Sequence, residues 1–203
     1  MYKKSEINPT KKKIFTITQK LMLKKGYVAT TIDEICDKAG LTKGSFFYYF
    51  KTKDQLGSDL LDYYWDELNK KMTTSVKPNE DPLGILFDFM DFVVKIYNTA
   101  EFDTSCLLGN FAQELSQTNE IIRKKCDNYL TMQIGRIRDL LDNAKKYHSV
   151  KKDLDTESLA LSLIALIQGS ILVAKSKKNK QVIKQSLKHY KIYLKSIFTK
   201  SNG

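Results

Sequence analysis

Residues 30–53, TTIDEICDKAGLTKGSFFYYFKTK, decide the fold. Thr31 and Glu34 form a T-x-x-E capping box, which predicts a helix starting at Ile32. Ile32, Ile35, Cys36 and Ala39 then recur at helical spacing and give that helix one apolar face. Gly40 permits a sharp turn, and Leu41 plugs its corner. Thr42 is an N-cap for a second helix only about two turns long. On it Phe46 and Phe50 face inward, while Lys43, Gly44, Phe47 and Tyr48 point away from the core. A short helix with an outward stripe of lysine, glycine, serine and aromatics suits a DNA major groove. Thr52 and Gln55 make another capping box, opening a long helix whose N-terminus can hold a phosphate. An ordinary helical hairpin would share the aromatic core, but not the caps, glycine turn and basic surroundings together.

At these residues the chain resembles the tetracycline-repressor (TetR) family of bacterial transcription regulators. The matching positions are Gly26-Tyr27, Thr30-Thr31-Ile32, Ile35, Ala39-Gly40 and LTKGSFFYYFKTKDQL from Leu41 to Leu56. Tyr49 stands where many members carry histidine, and Phe47 where tyrosine is usual. The resemblance implies an all-α chain. Residues 1–53 are its helix-turn-helix DNA-binding domain, a helix over 52–71 is the link, and 54–203 form a helical effector-binding and dimerisation domain. Lys43, Gly44, Ser45 and Phe47 are expected to face bases, with Thr30, Thr42, Tyr48, Tyr49 and Lys53 on the phosphate backbone. Thr30 enters as a match to a family position whose hydroxyl commonly touches phosphate.

Working outward, the charge is uneven. Residues 1–53 hold 12 lysines against 4 acids, net +8; residues 54–174 are net −6; residues 175–203 hold 9 lysines and no acid. A basic block around the helix-turn-helix is the electrostatic footprint of phosphate binding, and the acidic middle excludes a whole-protein nucleic-acid coat. Only 3 prolines and 9 glycines in 203 residues fit a mostly helical chain. Ahead of this stretch, residues 1–8 read as a loose basic arm. Pro9-Thr10 starts a helix with Ile14, Ile17 and Leu21 inward, ended by Gly26. Lys11, Lys12 and Lys13 on it are candidates for the DNA backbone, although a lysine run there is more often just solvated.

Beyond the link, Thr73 to Glu80 reads as a polar break. Asp81 caps a helix with Pro82 at its first position, apolar nearly all round from Leu83 to Tyr97 and so expected to be buried. Further helices are expected over about 119–147, from Asp155 or Thr156 through Ala174, and over 180–198. The 159–174 run carries Ser162, Gln168 and Ser170, which reads as a buried helix and not a membrane span. The last two helices have more apolar surface than one domain covers. The family's answer is a homodimer meeting as a four-helix bundle, set on a pseudo-palindromic double-stranded operator.

Three cysteines without a C-x-x-C pair point to a reducing, cytoplasmic setting. His148 and His189 have no metal-ligand spacing, and no Walker loop, G-x-S-x-G or dinucleotide fingerprint appears, so neither enzyme, metal nor cofactor is expected. Pocket-lining candidates for a small-molecule effector are Trp65, Phe87, Met90, Tyr97, Phe111, Tyr129 and Met132, although a Met or aromatic stripe of this kind is more often plain core. Residues 103–117, DTSCLLGNFAQELSQ, resemble the C-L-L-G-N segment of one TetR subgroup. That subgroup includes regulators that respond to oxidants or electrophiles through cysteine. With Thr104 or Ser105 as N-cap, Cys106 falls in the first turn of a helix, where unpaired N–H groups favour thiolate. Lys175 is expected nearby as the group that stabilises the thiolate or traps an oxidised sulfur with its amine. The contrary readings are a small buried hydrophobe at Cys106 and, for the whole chain, an architectural DNA-binding dimer without an effector.

Overall fold

Capping side chains set most of the helix boundaries. The structure, a computed structural model, describes residues 7–75, 80–99, 105–150 and 153–200, with only the backbone at Lys200. Among the described residues the fold is all-α, with nine helices and one two-residue strand pair. Helix α1 (Pro9–Lys25) starts from Asn8, whose side chain accepts from the Thr10 and Lys11 amides, and ends at Gly26. α2 (Ile32–Ala39) is capped by Thr31, and Gly40 closes it in the left-handed region at φ 62°. α3 (Lys43–Tyr49) is capped by Thr42. α4 (Lys53–Ser75) follows Thr52, whose hydroxyl accepts from the Gln55 amide at 3.0 Å. The Gln55 side chain returns to the Lys51 amide at 2.8 Å, so the second capping box forms nearly as read.

α4 outruns its expected end by about a turn. The helix runs on through this polar stretch, with the hydroxyls of Thr73 and Thr74 donating to the Asn69 and Lys70 carbonyls. The rest of the expected break, 76–79, lies outside the described residues. α5 (Pro82–Tyr97) begins at Asp81, which accepts from the Leu83 amide at 2.9 Å. α6 (Leu107–Leu115), α7 (Glu120–Ala144), α8 (Thr156–Lys177) and α9 (Gln181–Ile197) complete the helices. Asn119 and Asp155 supply the N-terminal acceptors of α7 and α8. β1 (His148–Ser149) pairs antiparallel with β2 (Thr199–Lys200).

The chain divides into two compact units. The first is 1–66 with 107–126, and the second is 67–106 with 127–203. The expected cut after residue 53 is linear; the observed one is not, because α6 and the start of α7 group with the helix-turn-helix. In the first unit Ile14, Met22, Ile35, Phe46, Phe50, Leu56 and Leu60 are fully buried. Phe15 and Phe46 both approach the Phe50 ring, at 5.5 and 5.8 Å. Each such phenylalanine contributes roughly 2–3 kcal/mol by burial. In the second unit α8 and α9 pack on each other. Ala160, Leu163, Ile167 and Ala174 are buried on one helix, and Ile183, Leu187, Tyr190 and Leu194 on the other. α5 is less enclosed than its composition predicts: Leu86, Met90 and Val93 are buried, but Phe87 and Phe89 are half-exposed. α8 is long and apolar enough to cross a membrane, by length and composition alone. Its outer side carries Leu161, Ala165, Gly169, Leu172 and Val173 exposed.

Candidate nucleic-acid interface

The recognition element is built by three local devices. The Thr42 hydroxyl accepts from the Ser45 amide at 3.1 Å and donates to the Ser45 hydroxyl, which fixes the start of α3. Phe46 and Phe50 anchor its inner side with no exposed surface. Gly40 permits the turn that brings α2 and α3 together. What remains outside is Thr42, Lys43, Gly44, Phe47 and Tyr48, all exposed, with Ser45 and Tyr49 half-buried. Phe47 packs edge-on against Phe46 at 5.4 Å, and Tyr48 against Tyr49 at 5.0 Å, so these rings stand in defined positions. A Cβ added at Gly44 would meet only the Thr42 hydroxyl, at 3.8 Å; the glycine's value is an unobstructed surface.

Cations surround this surface without being locked into it. Lys43 pairs with Asp33 at 2.8 Å with both side chains mostly exposed, and the hydrogen bond to Asp33 raises its pKa. Lys11 pairs with Asp59 at 3.4 Å and lies over the Phe50 ring, while Lys12 and Lys13 are exposed. Lys53 is half-buried. Its ammonium sits 4.4 Å from the Tyr27 ring centroid and donates to the Val28 carbonyl, and burial lowers its pKa. Thr30 differs from expectation. It is fully buried and its hydroxyl donates to the Gly26 carbonyl at 2.7 Å, so it closes the α1–α2 turn and offers no hydroxyl to a phosphate in this conformation. Glu34 also departs from the capping box, pairing with Lys25.

A contact the sequence did not announce comes from α6. Glu114 accepts from the amides of Tyr27 and Val28, and the Tyr27 hydroxyl donates to Asp54. Burial first, then Asp54, pushes the Tyr27 phenol well above its usual range, so it remains a donor. A long-range bond of this kind leaves no mark in local spacing.

The effector candidates divide between the two units. Trp65 and Phe111 belong to the first, and both are buried. Phe87, Met90, Tyr97, Cys106, Tyr129, Met132 and Lys175 belong to the second. Met90 and Tyr97 are buried, Tyr129 is half-buried and Met132 is exposed. Phe87 lies beneath the ammonium groups of Lys191 and Lys195, at 5.6 and 5.5 Å. Cys106 immediately precedes α6, is buried, and receives the Gln168 side-chain amide on its sulfur at 3.7 Å. Ser105 beside it is buried with no partner for its hydroxyl among the described residues; Thr104, the other expected cap, lies outside them. The α8 residue that meets the sulfur is therefore Gln168. Lys175 is exposed two turns further along, about 10 Å of helix rise. Cys36 and Cys126 are buried; burial raises the Cys36 thiol pKa, and Cys126 lies 3.9 Å from the Leu108 carbonyl. Among the described residues no cluster of His, Cys, Asp or Glu could hold a metal ion.

Comparison with known proteins places this geometry. Residues 14–59 match the family model for bacterial regulatory proteins of the tetR family, and residues 82–190 match the tetracyclin repressor-like C-terminal domain. An HTH-type transcriptional regulator from the lacX 3′ region of Lactococcus lactis subsp. lactis is 30% identical over 87% of this chain and 89% of its own. The HTH-type transcriptional repressor NemR of Escherichia coli (strain K12) is 22% identical over 90% of this chain and 92% of its own. The crystal structure of a TetR transcriptional regulator from Chloroflexus aurantiacus superposes with a TM-score of 0.86 at 20% identity. It covers 95% of this chain and 97% of that one.

Proposed function

The chain belongs to the tetR family of bacterial DNA-binding transcriptional regulators, and from that premise we propose that it is a dimeric repressor released from its operator by a reactive small molecule. The observation that carries the operator reading is the outer face of α3. Thr42, Lys43, Gly44, Phe47 and Tyr48 are exposed on a helix capped at its start and anchored behind by two buried phenylalanines. Lys43, Gly44, Ser45 and Phe47 face bases; Thr42, Tyr48, Tyr49 and Lys53 lie on the backbone. Residues 1–53 read DNA and 54–203 sense and dimerise, in the cytoplasm.

Release runs through Cys106. Its sulfur already has a hydrogen-bond donor in Gln168, which serves equally an oxygen or adduct added to it. The segment around it resembles the C-L-L-G-N subgroup, and NemR, 22% identical to this chain, is a repressor, which supports the repressor part of the reading only. Lys175 reaches the sulfur only if α8 or the start of α6 shifts, which makes its part secondary. An effector acts by binding or modifying one conformation in preference to the other. The test is a gel-shift on DNA upstream of the chain's own gene, with and without hypochlorite or a quinone. A retarded band that disappears with either reagent is expected. A protein that retards no fragment sinks the regulator mechanism. One that retards the fragment under every oxidant, electrophile and aromatic compound tried is an architectural binder instead.

A further inference from the structure

The α1–α2 turn is held from outside the helix-turn-helix. Glu114 Oε1 accepts from the Tyr27 amide at 3.1 Å and Oε2 from the Val28 amide at 3.0 Å, so both carboxylate oxygens serve one turn. Gly26 lies against the same carboxylate. A Cβ there would come within 2.5 Å of Oε1, and its φ of 89° independently favours glycine. The Tyr27 ring meets Phe111 of α6 edge-on at 5.2 Å, and Gly57 of α4 gives it room, since a Cβ there would stand 2.9 Å from the ring. The Tyr27 hydroxyl donates to Asp54 at the start of α4. One turn is thus fastened to α6 by a carboxylate and to α4 by a phenol. Every group named lies in the first compact unit.

We propose that Glu114 is a positioning residue for operator binding: its carboxylate on α6 sets the α1–α2 turn and, through it, the presentation of α2 and α3. The proposal rests on the operator reading above. The turn leads directly into Thr31, the cap of α2, and α2 meets α3 across Gly40. Displacing the turn therefore re-aims the helix that reads DNA. Two hydrogen bonds to one charged acceptor are stronger than neutral ones and resist that displacement. Glu114→Gln keeps the size of the side chain but turns one acceptor into a donor facing a backbone N–H.

The test is a fluorescence-anisotropy titration of wild type and Glu114→Gln with the operator duplex and with a scrambled duplex. The variant is expected to bind the operator roughly tenfold more weakly, the equivalent of losing one charge-assisted bond. Its affinity for the scrambled duplex, set by phosphate contacts, is expected to match wild type. Unchanged operator affinity in the folded variant overturns the proposal, and so does an equal loss on both duplexes. If the variant does not fold, amide exchange in wild type decides. Tyr27 and Val28 amides that exchange more slowly in the operator complex than in free protein support the clamp, and unchanged exchange overturns it. A wild-type protein that cannot tell the two duplexes apart overturns the operator reading itself, a separate result from any effect of Glu114.

Discussion

Lys43 stands at the first position of α3 with its ammonium on Asp33, both exposed, so the pair exchanges readily for a base edge or phosphate. If it makes a bidentate contact to guanine, Lys43→Ala should weaken operator binding roughly tenfold or more while leaving non-specific binding nearly intact. Lys53, half-buried over Tyr27, should behave differently: Lys53→Ala weakens all sequences alike and lowers the salt slope by about one. Anisotropy titrations at several salt concentrations separate the two. Undiminished operator affinity in the double variant Lys43→Ala, Phe47→Ala ends the base-contact assignment. The surface of α3 is legible in the sequence because caps, glycine turn and i,i+4 spacing are all local. Thr30 is not, because a family position says which residue is present and not where its hydroxyl goes, and here Gly26 takes it. For the sensor, hypochlorite should release operator from wild type and Cys126→Ser but not from Cys106→Ser. Release that persists in Cys106→Ser returns the search to a reversible ligand.

At the scale of elements, Asp81 joins two pieces of the second unit. One carboxylate oxygen caps α5 through the Leu83 amide and also meets His148 Nε2 at 2.9 Å, beside the β1–β2 pair. Asp81→Ala should therefore cost about 1–2 kcal/mol in urea unfolding, a cap plus a partly exposed hydrogen bond. A loss within error would show that the cap is replaced by water. The cap is readable from the D-P pair; its bond to a histidine 67 residues away is not, since nothing local encodes it. The same holds for the Glu114 clamp and the two-residue strand pair, which is too short to show alternation. Tyr190 adds a pH dependence. Burial against α8 pushes its phenol up to about 12, with Tyr193 a smaller cause, and its hydroxyl donates to the Leu159 carbonyl at 2.6 Å. A raised folded pKa gives stability that is full below the unfolded value near 10 and lost as pH climbs to about 12. The fold should lose up to about 3 kcal/mol across that interval, and Tyr190→Phe should flatten this part of the profile. An unchanged alkaline slope in Tyr190→Phe assigns it to other groups.

For the whole molecule the open question is what covers the outer side of α8 and α9. Leu161 and Leu172 are each 55% exposed, Val173 41%, and on α9 Ile192 and Tyr193 stand 54% and 50% exposed. On α8 these positions recur with Ala165 and Gly169 between them, a single stripe with small residues at its middle where a neighbour can approach closely. We expect a second copy of the chain to cover this stripe, because that arrangement supplies the symmetry that two operator half-sites require. The expected spacing of the two recognition helices is then about one turn of DNA, roughly 34–36 Å. Leu161→Arg with Leu172→Arg is the decisive change. Arginine is the better probe because the nearby lysines of 175–203, nine of them without an acid, would offer a glutamate new ion pairs. Sedimentation should show a dimer for wild type and a monomer for the double variant. Operator affinity should fall to that of a single half-site, while the helical content and the α3 surface stay as they are. A variant that remains dimeric moves the interface elsewhere, and a wild type that is monomeric at micromolar concentration removes the two-fold operator from the mechanism.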